Sequence, residues 1–153
     1  MQQQAFQNMI KNNEYHFFVF ACPAIMPLNL AIHTWIVIVN SNGEIARWDL
    51  CHFKNKEKPS LKYIHKDWFE PREWIYKYFW WTKRFESKLL YHCSGKTDSL
   101  AYKLVSWIED NVEHYPYKHH YWLVWHNSNC FTQRILNQFP GVKCTLPRRA
   151  IGK

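Results

Sequence analysis

The chain has 153 residues, with 20 Lys+Arg against 12 Asp+Glu and a formal net charge of +8 at pH 7. That length suits one domain, and a fold of this size buries about 68–70% of its unfolded surface, enough for a core without disulfides or a structural metal. At 47% hydrophobic residues with 4 Gly and 7 Pro, the composition excludes fibrous, collagen-like and disordered classes, and no apolar run is long enough to span a membrane as a helix.

Residues 1–13 are rich in Gln and Asn and read as a flexible leader or brief helix ahead of a single globular domain over 14–153. His16 to Cys22 (HFFVFAC) is too short an apolar core for a signal sequence and reads as a buried strand. Cytoplasm is therefore the expected location. Cys22, Cys51, Cys93, Cys130 and Cys144 are scattered and odd in number, which fits a reducing compartment better than a disulfide framework. Ala31 to Val39 (AIHTWIVIV) is a β-branched run with the composition of a central strand buried on both faces. Asn40-Ser41-Asn42-Gly43 ends it with an Asn-Gly pair suited to the positive φ of a hairpin turn, so Glu44 to Cys51 (EIARWDLC) should return antiparallel.

Lys54 to Ser60 is a charged loop, and Tyr63 to Trp81 is densely aromatic without a clear period. Phe85 to Cys93 reads as a further strand. From Asp98 to His114 the apolar residues Leu100, Ala101, Leu104, Val105, Trp107, Ile108 and Val112 recur at three- and four-residue steps, which predicts an amphipathic helix stopped before Pro116. Tyr121 to Trp125 (YWLVW) reads as a short strand. Asn127, Ser128 and Asn129 are all good helix caps, and Phe131, Ile135, Leu136 and Phe139 form one face of a last helix ending at Pro140-Gly141. The expected fold is α+β: an antiparallel sheet packed with two main helices.

Cys130 falls in the first turn of that last helix, directly after the Tyr121 to Trp125 strand candidate. Free backbone N–H groups and the helix dipole favour thiolate there, bringing a thiol pKa below about 8.5, and the same donors, with Asn127, Ser128 and Asn129, could support an oxyanion. His33, near the start of the first long buried strand, is the candidate base. Arg47 and Asp49 share one face of the returning strand, and Asp49 is the natural acceptor for an imidazole N–H. Each of these residues also has a plain structural reading, as a packed core Cys, a packed strand His or a cap.

PLNLAIHTWIVIV (27–39), RWDL (47–50), YPY (115–117), NSNCF (127–131) and LPRRAIGK (146–153) together resemble a family of small bacterial domains. Its pattern has a His-Thr-Trp strand, an Arg-aromatic-acidic strand, an Asn-Ser-Asn-Thr-Phe helix start and a terminal Leu-Pro-x-x-Ala-Ile-Gly-Lys. This chain departs from it at Cys130, where the pattern carries Thr. The order of elements also resembles the circularly permuted papain-like superfamily of lecithin:retinol acyltransferase type, in which a strand His precedes a helix-start Asn-Cys. That resemblance implies a thiol hydrolase or acyltransferase acting on an amide, peptide or ester bond of a small molecule or peptide. Cys130 would be nucleophile, His33 base and Asp49 orienter, with no cofactor.

A metal site from His119, His120, His126 and Cys130 lacks the paired spacing of zinc motifs, so no metal is expected. The basic balance supports a different class of function, a noncatalytic module binding nucleic acid or another anionic partner. Arg148, Arg149 and Lys153 would form its anion-binding cluster, and Lys54 to Lys66 with Tyr63, Trp68 and Trp74 a stacking surface.

Overall fold

β-branched and aromatic residues fill the two longest strands, and their burial follows from a sheet covered on both sides. The computed structural model describes residues 3–24, 31–51, 60–63, 87–122 and 124–153, with the backbone alone for residues 3, 51 and 60–63. A short helix α1 (Gln3–Gln7) is followed by strands β1 (Tyr15–Pro23), β2 (Ile32–Val39), β3 (Ile45–Cys51), β4 (Ser60–Tyr63) and β5 (Lys88–Gly95). Helix α2 (Leu100–Asn111), a 3₁₀ turn at Val112–His114 and helix α3 (Ser128–Gln138) complete the order. The strands form one sheet in the order β4-β3-β2-β1-β5, and every described pairing is antiparallel. The class is α+β. The expected charged loop Lys54 to Ser60, the aromatic stretch Tyr63 to Trp81 and the stacking surface drawn from them lie outside the described residues, apart from the backbone of residues 60–63.

Period-two alternation sorts the side chains of β1 to β3 into two cores. Phe17, Val19, Ile36, Ile38, Trp48 and Leu50 face the helices and pack with Leu104, Ile108, Phe131 and Ile135. Phe18, Phe20, Cys22, Trp35, Val37 and Val39 face the other way and pack with Phe6 of α1. Each fully buried side chain of this size contributes about 1.5–3 kcal/mol. Of the two readings of residues 1–13, flexible leader or brief helix, a helix forms at Gln3–Gln7, with Phe6 buried against the rings of Phe18 and Phe20.

The β2–β3 hairpin turns on Asn40 and Gly43. Asn40 Oδ1 accepts from the N–H of Asn42 and of Glu44, both at 3.0 Å. Only Gly43 takes a positive φ, +80°, with Asn40 O accepting from its N–H at 2.9 Å. The Asn-Gly pair therefore makes a turn followed by one left-handed glycine, not a turn with positive φ at both residues. Helix α2 starts later than Asp98, because Asp98 adopts φ +73° and Ser99 is the cap, accepting from Tyr102 N–H at 3.1 Å.

The predicted strand at Tyr121 to Trp125 does not form. Trp122 and His126 make an isolated bridge around a turn, and Trp122 and Trp125 stand 69% and 73% exposed. A short apolar run is ambiguous by pattern alone. Here its neighbours, the basic Lys118-His119-His120 stretch and the capping Asn127, leave it as the loop that leads into α3.

Candidate active site

Three elements converge where β2 begins. His33 stands second on β2, Asp49 and Arg47 alternate on the same face of β3, and Ser128 is the first residue of α3. His33 Nε2 lies 2.9 Å from Asp49 Oδ1. A carboxylate only accepts, so in the neutral imidazole Nε2 carries the proton and the Nδ1 lone pair faces outward. The group that meets it is the Ser128 hydroxyl, whose Oγ is 2.7 Å from Nδ1. Asp49 is held in turn by Arg47, which donates to Oδ2 from Nη2 at 2.7 Å and from Nε at 3.2 Å. The guanidinium carbon of Arg47 sits 4.3 Å from the Trp35 ring centroid, a cation–π contact that fixes the plane of the fork.

The row Ser128–His33–Asp49–Arg47 is buried: the four residues are 2%, 4%, 0% and 1% exposed. Buried charge is tolerated only when paired and hydrogen-bonded, and this row meets that condition along its length. Its chemical capacity is that of a nucleophile, base and orienter in series, with the imidazole positioned to take the hydroxyl proton.

Cys130 is turned elsewhere. An α-helix advances about 100° per residue, so residues two apart lie on nearly opposite sides. The Cys130 thiol donates toward the carbonyls of Trp125 and Gly152 and lines a different hollow, with Tyr115, Trp125 and Arg134. The other described thiols are held protonated by burial, which pushes Cys22 up to about 12, with the Asp49 charge adding to it, and Cys144 up to about 11, and raises Cys93.

The remaining residues of the Asn-Ser-Asn-Cys run build the frame. Asn127 is the cap of α3, and its Oδ1 accepts from the N–H of Asn129 at 2.8 Å and of Cys130 at 3.1 Å. Two first-turn donors expected for an oxyanion are therefore already engaged, and the Ser128 N–H is the one the cap leaves over. Asn129 spends its amide on carbonyls, Ile32 O at 2.8 Å and Ile151 O at 3.1 Å, while its Oδ1 accepts from the Thr34 hydroxyl at 2.9 Å. Asn127 Nδ2 also donates to Ile151 O at 2.9 Å. The terminal segment is thereby pinned across the start of α3. Gly152 has φ +84°, and a Cβ there would meet Val124 O at 2.2 Å, so glycine alone fits that closure.

The three basic residues of the tail divide. Arg148 and Arg149 are exposed, with Arg149 O accepting from Ile32 N–H at 3.1 Å. Lys153 turns its ammonium inward onto Leu146 O at 2.9 Å and Pro147 O at 3.1 Å, closing the tail on itself. Among the described residues, no group of three or more His, Cys, Asp or Glu could hold a metal ion, and no helix is long and apolar enough to cross a membrane.

A family model described as "Protein of unknown function (DUF3750)" matches residues 15–153. The chain belongs to that family. No curated protein and no solved structure matches it. In this DUF3750 domain, His33, Asp49 and Arg47, expected near one another from the sequence, are joined by the contacts above. Ser128, expected only as a supporting residue, is the group against the imidazole. A signal was available, because Asn followed by a potential nucleophile occurs twice, as Asn127-Ser128 and Asn129-Cys130. The pattern alone does not say which pair faces the histidine.

Proposed function

We propose that this domain is a serine-dependent hydrolase or acyltransferase acting on an amide, peptide or ester bond, with Ser128 as nucleophile, His33 as general base and Asp49 as orienter. The observation that carries the reading is the unbroken series from Ser128 Oγ through both nitrogens of His33 to Asp49, at 2.7 and 2.9 Å. In the reaction, Oγ attacks the carbonyl carbon while its proton moves to His33 Nδ1. The carbonyl oxygen becomes an oxyanion beside the N-terminus of α3, where the Ser128 N–H and the helix dipole favour negative charge. Collapse expels the amine or alcohol, which takes the proton from His33 and leaves an acyl-serine. Water or another acceptor then releases the acyl group with His33 acting as base again. Arg47 has a positioning role through Asp49. The permuted papain-like resemblance implies the same base and orienter, His33 and Asp49, but with Cys130 as nucleophile; the 2.7 Å contact of Ser128 Oγ with His33 is what favours the hydroxyl.

Burial favours a second reading, in which the same row is a noncatalytic lock between β2, β3 and α3. The two are separated by a fluorophosphonate probe, which forms a bond only with an activated serine. The catalytic reading expects mass-spectrometric labelling of Ser128 that disappears in Ser128→Ala and falls at least about a hundredfold in His33→Ala, the scale of a lost general base. Unlabelled Ser128 in folded protein, as judged by thermal melting, would sink the catalytic reading and leave the lock.

A further inference from the structure

A second cavity opens on the helix-facing side of the sheet, at the end where β2 begins. It has a volume of about 340 Å³, within the range of small-molecule sites, about 300–1,000 Å³. Its floor is apolar, formed by Ala21 of β1, Ile32 of β2 and Leu90 of β5. Three cations stand around it: Lys88 from β5, and Arg148 and Arg149 from the terminal segment. No carboxylate lines it among the described residues. The side chains of Lys88 and Arg148 are exposed and form no ion pair or hydrogen bond among the described residues.

This composition is specific in a physical sense. An apolar floor alone would take any hydrophobe, and surface cations alone would serve solubility. Cations converging from two separate chain segments on one apolar hollow match a ligand with an anionic head and an apolar stem. The terminal segment is not loosely placed, since Arg149 O accepts from Ile32 N–H at 3.1 Å and Ile151 O accepts from both Asn127 and Asn129. The arginines are thus held over the floor by the same bonds that fix the start of α3. Net charge of +8 adds a general attraction for anions, but it does not select the stem.

The geometry points to a binding site for a small amphiphile bearing a carboxylate or phosphate monoester, seated on Ala21, Ile32 and Leu90 with its head among Lys88, Arg148 and Arg149. The site goes beyond the acyl-transfer reading and stands without it.

Titration calorimetry on the full chain tests this with octanoate and octyl phosphate as probes, against octanol and inorganic phosphate as head-free and stem-free controls. Saturable one-to-one binding of either amphiphile is expected, with the tighter of the two naming the head group and both controls weaker by about tenfold or more. Arg148→Ala with Arg149→Ala, both exposed positions, should weaken binding by at least about tenfold, as loss of charge-assisted bonds does. Lys88→Ala provides a second reading should the double variant melt early. Ser128→Ala retains full binding, which separates this site from the proposed chemistry. No saturable binding, equal binding of octanol, binding untouched by loss of the cations, or binding to anionic vesicles alone each overturns the site.

Discussion

His16 and His33 occupy opposite ends of one face of the β1–β2 pair, and their surroundings differ in one decisive respect. His16 lies opposite Val39, and His33 lies opposite Cys22. Between them runs a row of rings, Phe18, Phe20 and Trp35, with successive centroids 5.9, 6.0, 5.6 and 6.0 Å apart from His16 to His33. At the His33 end the imidazole meets a carboxylate backed by a guanidinium. At the His16 end it meets a second imidazole, with His16 Nδ1 3.2 Å from His92 Nε2 and the rings stacked. Two buried histidines on one face thus face opposite electrostatics. Fixed charges of both signs hold the first end, so deleting one of them is what breaks it. At the second, burial, the paired imidazole and Lys11 outweigh the opposing charge of Glu14, so acid is what breaks it.

The largest expected effect is at the charged end. Arg47→Met leaves the Asp49 carboxylate buried without its guanidinium, which costs about 3–5 kcal/mol of stability. Urea denaturation measures it directly. Pairing the change with Asp49→Leu should recover only part of the loss, since an apolar pair can be as stable as the ion pair it replaces but the buried His33 Nε2–H is left without its acceptor. A single variant within about 1 kcal/mol of the parent would show that Asp49 does not depend on Arg47, and the contrast between the two ends would fail.

Much of this frame is legible in the sequence because it depends on local periodicity. The alternation of Arg47, Trp48, Asp49 and Leu50 puts the two charged residues on one face whatever the rest of the chain does. The long run through Val39 is readable as a central strand for the same reason, and Phe131, Ile135 and Leu136 disclose the buried face of α3. The choice of Ser128 over Cys130 is not readable that way. It depends on the rotation of α3 about its axis, which the tail sets through Ile151 O and Gly152. The cationic cavity was half legible: Arg148 and Arg149 stand out in the sequence, but Lys88 joins them only because β5 pairs with β1, with Lys88 opposite Ala21. Lys153 looks like their partner in sequence and instead bonds its own chain.

A smaller effect is expected at the imidazole end, and its sign follows from linkage. Burial, then the neighbouring His16 and Lys11, brings His92 down to about 4 from the ordinary 6.5, and burial lowers His16 as well. Between those values the unfolded chain binds protons that the folded chain refuses, so stability falls as pH drops from about 6.5 toward about 4 and levels off below. His92→Phe keeps a ring beside Phe18, whose centroid is 4.3 Å away, and removes one titrating group. Its urea midpoint should therefore decline less over that window than the parent's. Parallel declines would place the acid sensitivity elsewhere and remove the second half of the contrast.

The smallest effect is expected from Cys130→Ser, and it sharpens which atom belongs to the charged end. The replacement hydroxyl keeps a donor for the carbonyls of Trp125 and Gly152, and Asn127 continues to cap the backbone N–H of residue 130. Stability should change by less than about 1 kcal/mol. Fluorophosphonate labelling of Ser128 should stay at the parent level, because the thiol is absent from the series that runs through His33. A thiol that instead acted on substrate would lose rate here while Ser128→Ala kept it. Reversed outcomes for the two variants would hand the nucleophile's place to Cys130 and would require α3 to rotate by about half a turn, since residues two apart on a helix lie nearly opposite one another.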